Sequence, residues 1–331
     1  MQPFTKISLQ CITAAATFFC AGLLVGQVAH FNLGETQVSF FKETRLAENF
    51  KYINPLLECS SNLSNSIPVN KLQNDISTYI QKLIAQKLLT AASVYYHDLN
   101  NGPTFNINGN ALFSPASLIK VPMLIAVLRV AEDDPKILTK ELSVDDVAEY
   151  DNQDIVPGSK LELHKKYKVE DIVTHMIVYS DNVAYDLLLK NIVTPSKLGE
   201  VYNDLGVDIT RAAADPGGNV ISIKDYSSFF RILYNASYLS KEMSERALSI
   251  LAQVKFSEGL VAGVPGGTVV AHKFGERAYA ETSEVQLHDC GIIYKPNKPY
   301  LLCVMTRANK PEALISTISN ISQMVYSFNG D

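Results

Sequence analysis

The sequence predicts an α+β fold, in which strands from both ends of one domain form a single sheet and a helical block is inserted between them. Strand-like runs occur at 91–109 and again at 267–308, and the residues between them read mostly as helices. With 331 residues, 47% hydrophobic and 19% charged, the chain has the composition of an ordinary globular protein with a sizeable core.

The elements follow in chain order. Between residues 71 and 89 apolar side chains recur at helical spacing, and the runs AASVYYHDL and PTFNING are joined by Asn-Asn-Gly, which predicts a hairpin. Residues 114–130 form a helix that is apolar on every side, and 138–253 read mostly as helices. Three strands, GTVVAHKFGE, HDCGIIYK and PYLLCVMTRA, and a last helix at 311–328 complete the domain.

The first 31 residues differ from the rest. From Ile7 to Phe31 the only ionisable side chains are one histidine and two cysteines, and the run is long enough to span a bilayer. It fits an uncleaved membrane anchor or a signal peptide, and the absence of a clear A-x-A site favours the anchor. The predicted organisation is therefore a segment 1–31, a linker or strap 32–69 and a catalytic domain 70–331, exported and facing outward from the cytoplasmic membrane.

Charge, cysteine and histidine content limit the classes of function and of bound group that the sequence allows. A net charge of −5 without a basic run excludes a nucleic-acid binder. Cys290 and Cys303 would lie opposite each other in a hairpin, which makes a disulfide possible, but two packed thiols are the simpler expectation. The histidines lack the spacing of a zinc site, so neither a metal nor a cofactor is predicted.

Ser117 and Lys120 form an S-x-x-K arrangement on the apolar helix. Residues three apart share a helix face, so the amine reaches the hydroxyl. Serine needs an adjacent base to become a nucleophile, and a lysine in an apolar pocket near a second cation loses its proton more readily. A capping serine beside a solvent-exposed lysine is the alternative, but the flanking residues 121–128 leave no wide polar face for it.

Two further motifs follow in order. Ser180-Asp181-Asn182 lies in the helical block, where a helix cap is the simpler interpretation. Lys273-Phe274-Gly275 ends a strand, and its glycine allows another backbone to approach closely. Each motif alone is weak.

The ordered set resembles the class A β-lactamase and penicillin-binding serine acyltransferase family over about residues 70–329. The resemblance implies an antiparallel sheet flanked by helices, an inserted all-helical domain and a bacterial envelope location. It implies that Ser117 is acylated, Lys120 accepts its proton, Ser180 relays a proton to the leaving nitrogen and Lys273 steers a substrate carboxylate. Further substrate contacts would come from Asn182, Gly275 and Glu276, with the N–H groups of Ser117 and Glu276 forming the oxyanion hole.

Two departures from the family pattern concern catalysis and binding. The family's E-P-x-x-N loop corresponds here to DPGGN, which gives Asp215 the water-activating position and Asn219 the asparagine position, with a carboxylate one methylene shorter. A Pro-Gly turn capped by its own aspartate is an equal alternative. Phe274 replaces the usual Thr or Ser, which removes a hydroxyl that would bind the substrate carboxylate.

The sequence thus predicts a serine hydrolase acting on cyclic amides, with β-lactam hydrolysis as the leading activity. A D-alanyl-D-alanine carboxypeptidase or related cell-wall amidase is the first alternative, favoured if Asp215 does not activate water. A catalytically idle domain that binds wall peptides or a partner protein is the second, favoured by Phe274.

Overall fold

The computed structural model describes residues 39–45, 50–63, 67–100, 102–146, 155, 158–207, 219–279 and 282–328. The described residues from 40 to 62 and from 67 to 328 belong to one compact unit. The predicted anchor or signal segment 1–31 lies outside the described residues, so membrane insertion and export stay predictions. Among the helices that are described, none has both the length and the apolar character needed to cross a bilayer.

The main sheet has five antiparallel strands: β3 (Ala91–Asp98), β4 (Thr104–Ile107), β9 (Val270–Tyr279), β10 (Glu284–Ile293) and β11 (Tyr300–Ala308). Their order across the sheet is β4-β3-β11-β10-β9. The first two form the predicted hairpin. Because the two halves of the sheet come from opposite ends of the domain, the predicted fold class is confirmed.

Eight α-helices are present in the described part of the chain. They are α1 (Ile67–Ala85), α2 (Lys120–Asp133), α3 (Val169–Val178), α4 (Asn182–Asn191), α5 (Pro195–Asp204), α6 (Ile223–Tyr234), α7 (Lys241–Leu251) and α8 (Pro311–Phe328). Apolar residues of α1 and α8 share one core with the sheet, whereas α2 to α7 share a second core with the sheet. The sheet is therefore covered by helices on both faces, and α2 lies at the centre of the larger core.

Six further strands in the described ranges pair outside the main sheet. They form β1 (Ser39–Arg45) with β2 (Leu56–Leu63), β5 (Leu112–Phe113) with β8 (Ile221–Ser222), and β6 (Glu141–Ser143) with β7 (Lys166–Lys168). The β5–β8 pair joins the segment before α2 to the segment before α6, which ties the start of α2 to the helical block.

Residues 50–55, here called the strap, are hydrogen-bonded to the domain at several points, and one carboxylate accepts from three of their backbone N–H groups. Glu245 on α7 accepts hydrogen bonds from the backbone N–H groups of Lys51, Tyr52 and Ile53 at 2.9 to 3.1 Å. Ile53 is buried in the larger core. The strap is thus fixed by side-chain burial and by charge-assisted hydrogen bonds to its backbone.

Cys290 and Cys303 are direct partners across β10 and β11. The structure joins them in a disulfide, so the expectation of two packed thiols is wrong. The hairpin brings their Cα atoms to 3.9 Å, a closeness that the sequence spacing alone does not reveal.

Candidate active site

Ser117 lies in a 3₁₀ turn, Ala116–Ile119, that leads directly into α2. Ala116 has a φ of 47°, in the left-handed region that residues other than glycine rarely adopt. Such strain is retained where the surrounding structure enforces it, often at functional sites. Ser117 itself is 9% exposed, so the nucleophile is nearly buried.

The turn is held from β10 by two buried side chains. Ser114 N–H donates to Gln286 Oε1 at 3.1 Å, and Ser114 O lies 2.9 Å from His288 Nε2. Because Thr306 N–H donates to His288 Nδ1, the ring carries its proton on Nε2 and donates it to Ser114 O. Burial lowers the pKa of His288 to about 4, which keeps the ring neutral in this role.

The start of α2 is secured by a contact that the sequence motifs do not reveal. Pro122 has no N–H for the carbonyl of Leu118, and the buried Tyr226 hydroxyl donates to that carbonyl at 3.2 Å. On the sheet side, a Cβ at Gly275 would lie 3.0 Å from Leu118 N and Pro115 O. Glycine is therefore what lets β9 contact the turn.

Lys120, 2% exposed, directs its amine into the site. Its Nζ lies 2.8 Å from Ser117 Oγ and donates to Ser180 O at 2.8 Å and Asn182 Oδ1 at 2.6 Å. Ser180 Oγ lies 3.3 Å away. The serine, lysine and S-D-N motifs, separated by about sixty residues, therefore meet around one buried nitrogen.

Ser180 Oγ lies between two amines, because Lys273 Nζ also donates to it, at 3.0 Å. Lys273 is completely buried, and its pKa is held well below the usual value by burial and by the nearby Lys120, opposed by Asp289. Two amines and a hydroxyl within hydrogen-bond distance can pass protons between them. We call Ser117, Lys120, Ser180, Asn182 and Lys273 the acylation cluster.

Asp181 fixes the geometry of the S-D-N turn. Its buried carboxylate caps α4 by accepting from Val183 N–H at 2.9 Å, and it also accepts from Leu161 N–H at 2.7 Å. Ser180 has a φ of 57°, so a second strained residue lies in the site. The helix-cap interpretation is confirmed for Asp181, and the cap positions the residues on either side of it.

On β9, Phe274 and Glu276 lie on the strand face opposite to that of Lys273 and Gly275. The ring of Phe274 is 2% exposed and stacks on Phe256 at 4.4 Å, with Lys273 Nζ 4.1 Å from its centroid. Glu276 is half-buried, and its Oε2 accepts from Ile155 N–H at 3.0 Å.

Seven of the nine predicted site residues surround the nucleophile or continue β9 beside it: Ser117, Lys120, Ser180, Asn182, Lys273, Gly275 and Glu276. Asn219 is exposed just before β8, and no hydrogen bond links it to the acylation cluster in the part of the chain that is described. Asp215 lies outside the described residues, so its role stays a prediction. Across those same ranges, no three His, Cys, Asp or Glu side chains cluster as metal ligands.

Comparison with known proteins adds the family context. The profile of the Beta-lactamase enzyme family matches residues 75–328. A β-lactamase of Bacillus amyloliquefaciens is 24% identical over 301 residues, covering 84% of this chain and 93% of that one. A β-lactamase structure from Sphaerobacter thermophilus has a TM-score of 0.66 and 22% identity, covering 78% of this chain and 97% of the other. A variant of PBP-A in acyl-enzyme complex with penicillin G has a TM-score of 0.64 and 22% identity, with coverages of 78% and 97%.

Proposed function

From the premise that the chain belongs to the β-lactamase enzyme family and is a serine β-lactamase-like hydrolase, we propose that it opens β-lactam rings through an acyl-enzyme on Ser117. One observation carries the proposal: a buried lysine amine lies 2.8 Å from the serine hydroxyl. Burial disfavours the charged form of an amine, which suits a proton acceptor. This contact favours an enzyme over an idle binding domain.

In the acylation step, Ser117 Oγ attacks the lactam carbonyl carbon and its proton passes to Lys120 Nζ. The new O–C bond forms as the carbonyl π electrons move onto oxygen. The N–H groups of Ser117 and Glu276 would stabilise the resulting oxyanion, as the family resemblance implies. The strained turn at Ala116 supports the role of Ser117 as nucleophile, because it fixes the serine before substrate binds.

Collapse of that intermediate breaks the C–N bond, and the nitrogen takes up a proton. Ser180 is suited to deliver it, because its hydroxyl lies 3.3 Å from Lys120 Nζ and 3.0 Å from Lys273 Nζ. The proton that Lys120 accepted thereby reaches the leaving nitrogen through one hydroxyl. Asn182 Oδ1, which accepts from Lys120, holds the amine in line with both serines.

Hydrolysis of the acyl-enzyme requires an activated water, and we propose that Asp215 activates it. If its shorter carboxylate does not reach the water, the β-lactam acyl-enzyme persists. The second candidate is then a D-alanyl-D-alanine carboxypeptidase or related wall amidase, in which water releases the peptide acyl-enzyme without Asp215. The likeness in fold to the acylated PBP-A variant favours this as the second candidate function.

Stopped-flow kinetics with a chromogenic β-lactam, combined with intact mass after incubation with penicillin, tests the proposal. Steady turnover supports the lactamase. A burst followed by a stable mass increase on Ser117 supports the second candidate. No label on Ser117, under conditions where Ser117→Ala is equally inert, overturns both activities and favours the binding domain.

We further propose that the protein is exported, with its domain outside the cytoplasmic membrane. The apolar run Ile7–Phe31 and the disulfide between Cys290 and Cys303 support this location, because disulfides persist in oxidising compartments. Protease treatment of intact cells tests it. Digestion of the domain in intact cells supports export, whereas protection until the cells are lysed contradicts it.

A further inference from the structure

A buried carboxylate lies behind the acylation cluster, on the opposite face of the main sheet. Asp289 on β10 is the register partner of Phe274 on β9, so its side chain shares the core-facing side of the sheet with that ring. Lys273, one residue earlier on β9, is directed into the cluster. Asp289 is completely buried, and a buried carboxylate is costly unless other groups stabilise it. The acylation steps described above do not use it.

The carboxylate of Asp289 is held in one position by its neighbours. His272 Nδ1 lies 2.8 Å from Asp289 Oδ1, and the backbone N–H of Leu260 donates to Oδ2 at 2.9 Å. A Cβ at Gly291 would clash with the Cβ of His272, and a Cβ at Gly259 would clash with Asp289 Oδ2. Glycine at both positions therefore leaves room for the pair of side chains.

The last helix contributes to the same support. The hydroxyl of Ser322 on α8 donates to Leu260 O at 2.8 Å, while the N–H of Leu260 donates to Asp289. Ser322, Leu260 and His272 are no more than 1% exposed. The backbone of one residue thus joins α8 to the carboxylate, which fixes the carboxylate relative to the strand that carries Lys273.

Lys273 is the group on which this carboxylate acts. Its Nζ donates to Phe274 O at 2.7 Å and to Ser180 Oγ at 3.0 Å, and it lies 4.1 Å from the centroid of the Phe274 ring, a contact that favours a cation. Burial and the nearby Lys120 lower the pKa of Lys273 well below its usual value, and Asp289 opposes them. In the described part of the chain, Lys120 from α2 and Asp289 from β10 are the charged groups that shift it.

The charge of Lys273 matters when the leaving nitrogen is protonated. As Ser180 gives up its hydroxyl proton, negative charge develops on Oγ, and a charged amine that donates to Oγ stabilises this charge more than a neutral amine does. Lys120, in contrast, has to be neutral to accept the proton of Ser117. The two amines therefore require opposite charge states, and Asp289 favours the charged form of Lys273.

We propose that Asp289 is a positioning residue for acylation: from behind the sheet, its buried carboxylate keeps Lys273 a cationic donor to Ser180, and His272 holds the carboxylate in place. The inference rests on the proposed function and leaves its covalent steps unchanged.

The pH profile of Ser117 acylation tests this role in the full-length chain. The rate of mass increase with penicillin is measured between about pH 6 and about pH 10 for the wild type and for Asp289→Asn. Asparagine keeps an oxygen for the N–H of Leu260 and offers an amide N–H to His272 Nδ1, so the charge is lost while both hydrogen bonds remain. Without the opposing charge the pKa of Lys273 falls further, and the alkaline limb of the profile should move down by about one pH unit.

Two further variants separate this effect from a structural one. Asp75→Asn removes an exposed carboxylate from α1, which packs on the same side of the sheet, and should leave the alkaline limb at the wild-type pH. His272→Asn keeps an amide N–H for Asp289 Oδ1 and should leave the limb there as well.

An unshifted limb in folded Asp289→Asn overturns the inference and leaves the proposed function standing. Absence of label on wild-type Ser117 at every pH overturns the proposed function and the inference with it. If Asp289→Asn does not fold, the double variant His272→Leu/Asp289→Leu removes both members of the pair, a replacement that proteins often tolerate. The same shift in the double variant supports the inference, whereas an unshifted limb or loss of folding assigns the pair to structure alone and overturns it.

Discussion

The two faces of β9 are built in opposite ways. On the face of Lys273, two lysines, two serines and an asparagine satisfy one another's hydrogen-bonding groups at 2.6 to 3.3 Å. On the other face, the ring of Phe274 is buried in the core and stacks on Phe256. The comparison teaches that one strand carries reactive groups on one side and core packing on the other. Four predictions test the site and the residues that support it, from the largest expected effect to the smallest.

Replacing Lys120 by Ala should reduce the acylation rate of Ser117 about 10³-fold, because the hydroxyl loses its proton acceptor. The measurement is the rate of mass increase with penicillin. Lys71→Ala, which removes an exposed lysine of α1, is the matched control and should retain the wild-type rate. Labelling at the normal rate in Lys120→Ala would remove the base from the mechanism.

Replacing Phe274 by Thr tests the core-facing side of β9. Loss of the buried ring should lower the free energy of unfolding by about 3 kcal/mol, measured by urea denaturation.

Phe274→Leu is the control for that variant, because it keeps an apolar side chain in the core. Its loss of stability should be smaller than that of Phe274→Thr. Equal losses in the two variants would contradict apolar burial as the source of the effect.

Replacing Asp215 by Glu should accelerate deacylation about tenfold, because the longer side chain extends the reach to a hydrolytic water. The decay of the penicillin adduct, followed by mass, measures it, and Asp204→Glu on α5 provides a carboxylate control. No gain in a folded variant counts against the alignment of DPGGN with the family's glutamate loop.

The variant His288→Gln tests whether the stability of the nucleophile turn depends on a neutral imidazole ring. Its folded pKa of about 4 lies below the ordinary value, so its contribution to stability is present above about pH 6.5 and is lost as the pH falls toward 4. Between pH 7 and 5.5 the wild type should lose about 1 kcal/mol more than His288→Gln, which keeps a donor for Ser114 O but does not titrate.

Urea denaturation of both proteins at each pH gives the difference directly. Other groups, including His97 with its pKa lowered to about 3, titrate in both proteins and cancel in the comparison. Parallel pH profiles for the two proteins would show that the ring is not coupled to folding.

Much of the fold was predictable because periodicity reports burial. The apolar helix at 114–130 became α2 at the centre of the larger core, and the turn signal Asn-Asn-Gly marked the β3–β4 hairpin. The sequence placed Cys290 and Cys303 opposite each other in a hairpin, but only the register of β10 against β11 shows that they pair. Helix limits also shifted, as α1 begins at Ile67 and ends at Ala85.

The site residues that belong to motifs were predictable. The residues that contact the site from distant parts of the sequence were not. The order of S-x-x-K, S-D-N and K-x-G predicted which side chains meet. Nothing in the sequence around Tyr226 links it to Leu118, 108 residues earlier, and nothing around His288 links it to Ser114. The available signal was a missing donor. Pro122 has no N–H for the carbonyl of Leu118, so a group from elsewhere in the chain has to donate to it.

The strap determines where the domain can be truncated at its N-terminal side. A protein trimmed to begin at Ile67 would leave the Glu245 carboxylate without the three backbone N–H groups that it accepts from, and would open the groove filled by Ile53. The smallest independently stable version of this domain should therefore start near residue 50. A synthetic hexapeptide copying 50–55 should bind to the shortened protein and raise its melting temperature, as a ligand restored in trans.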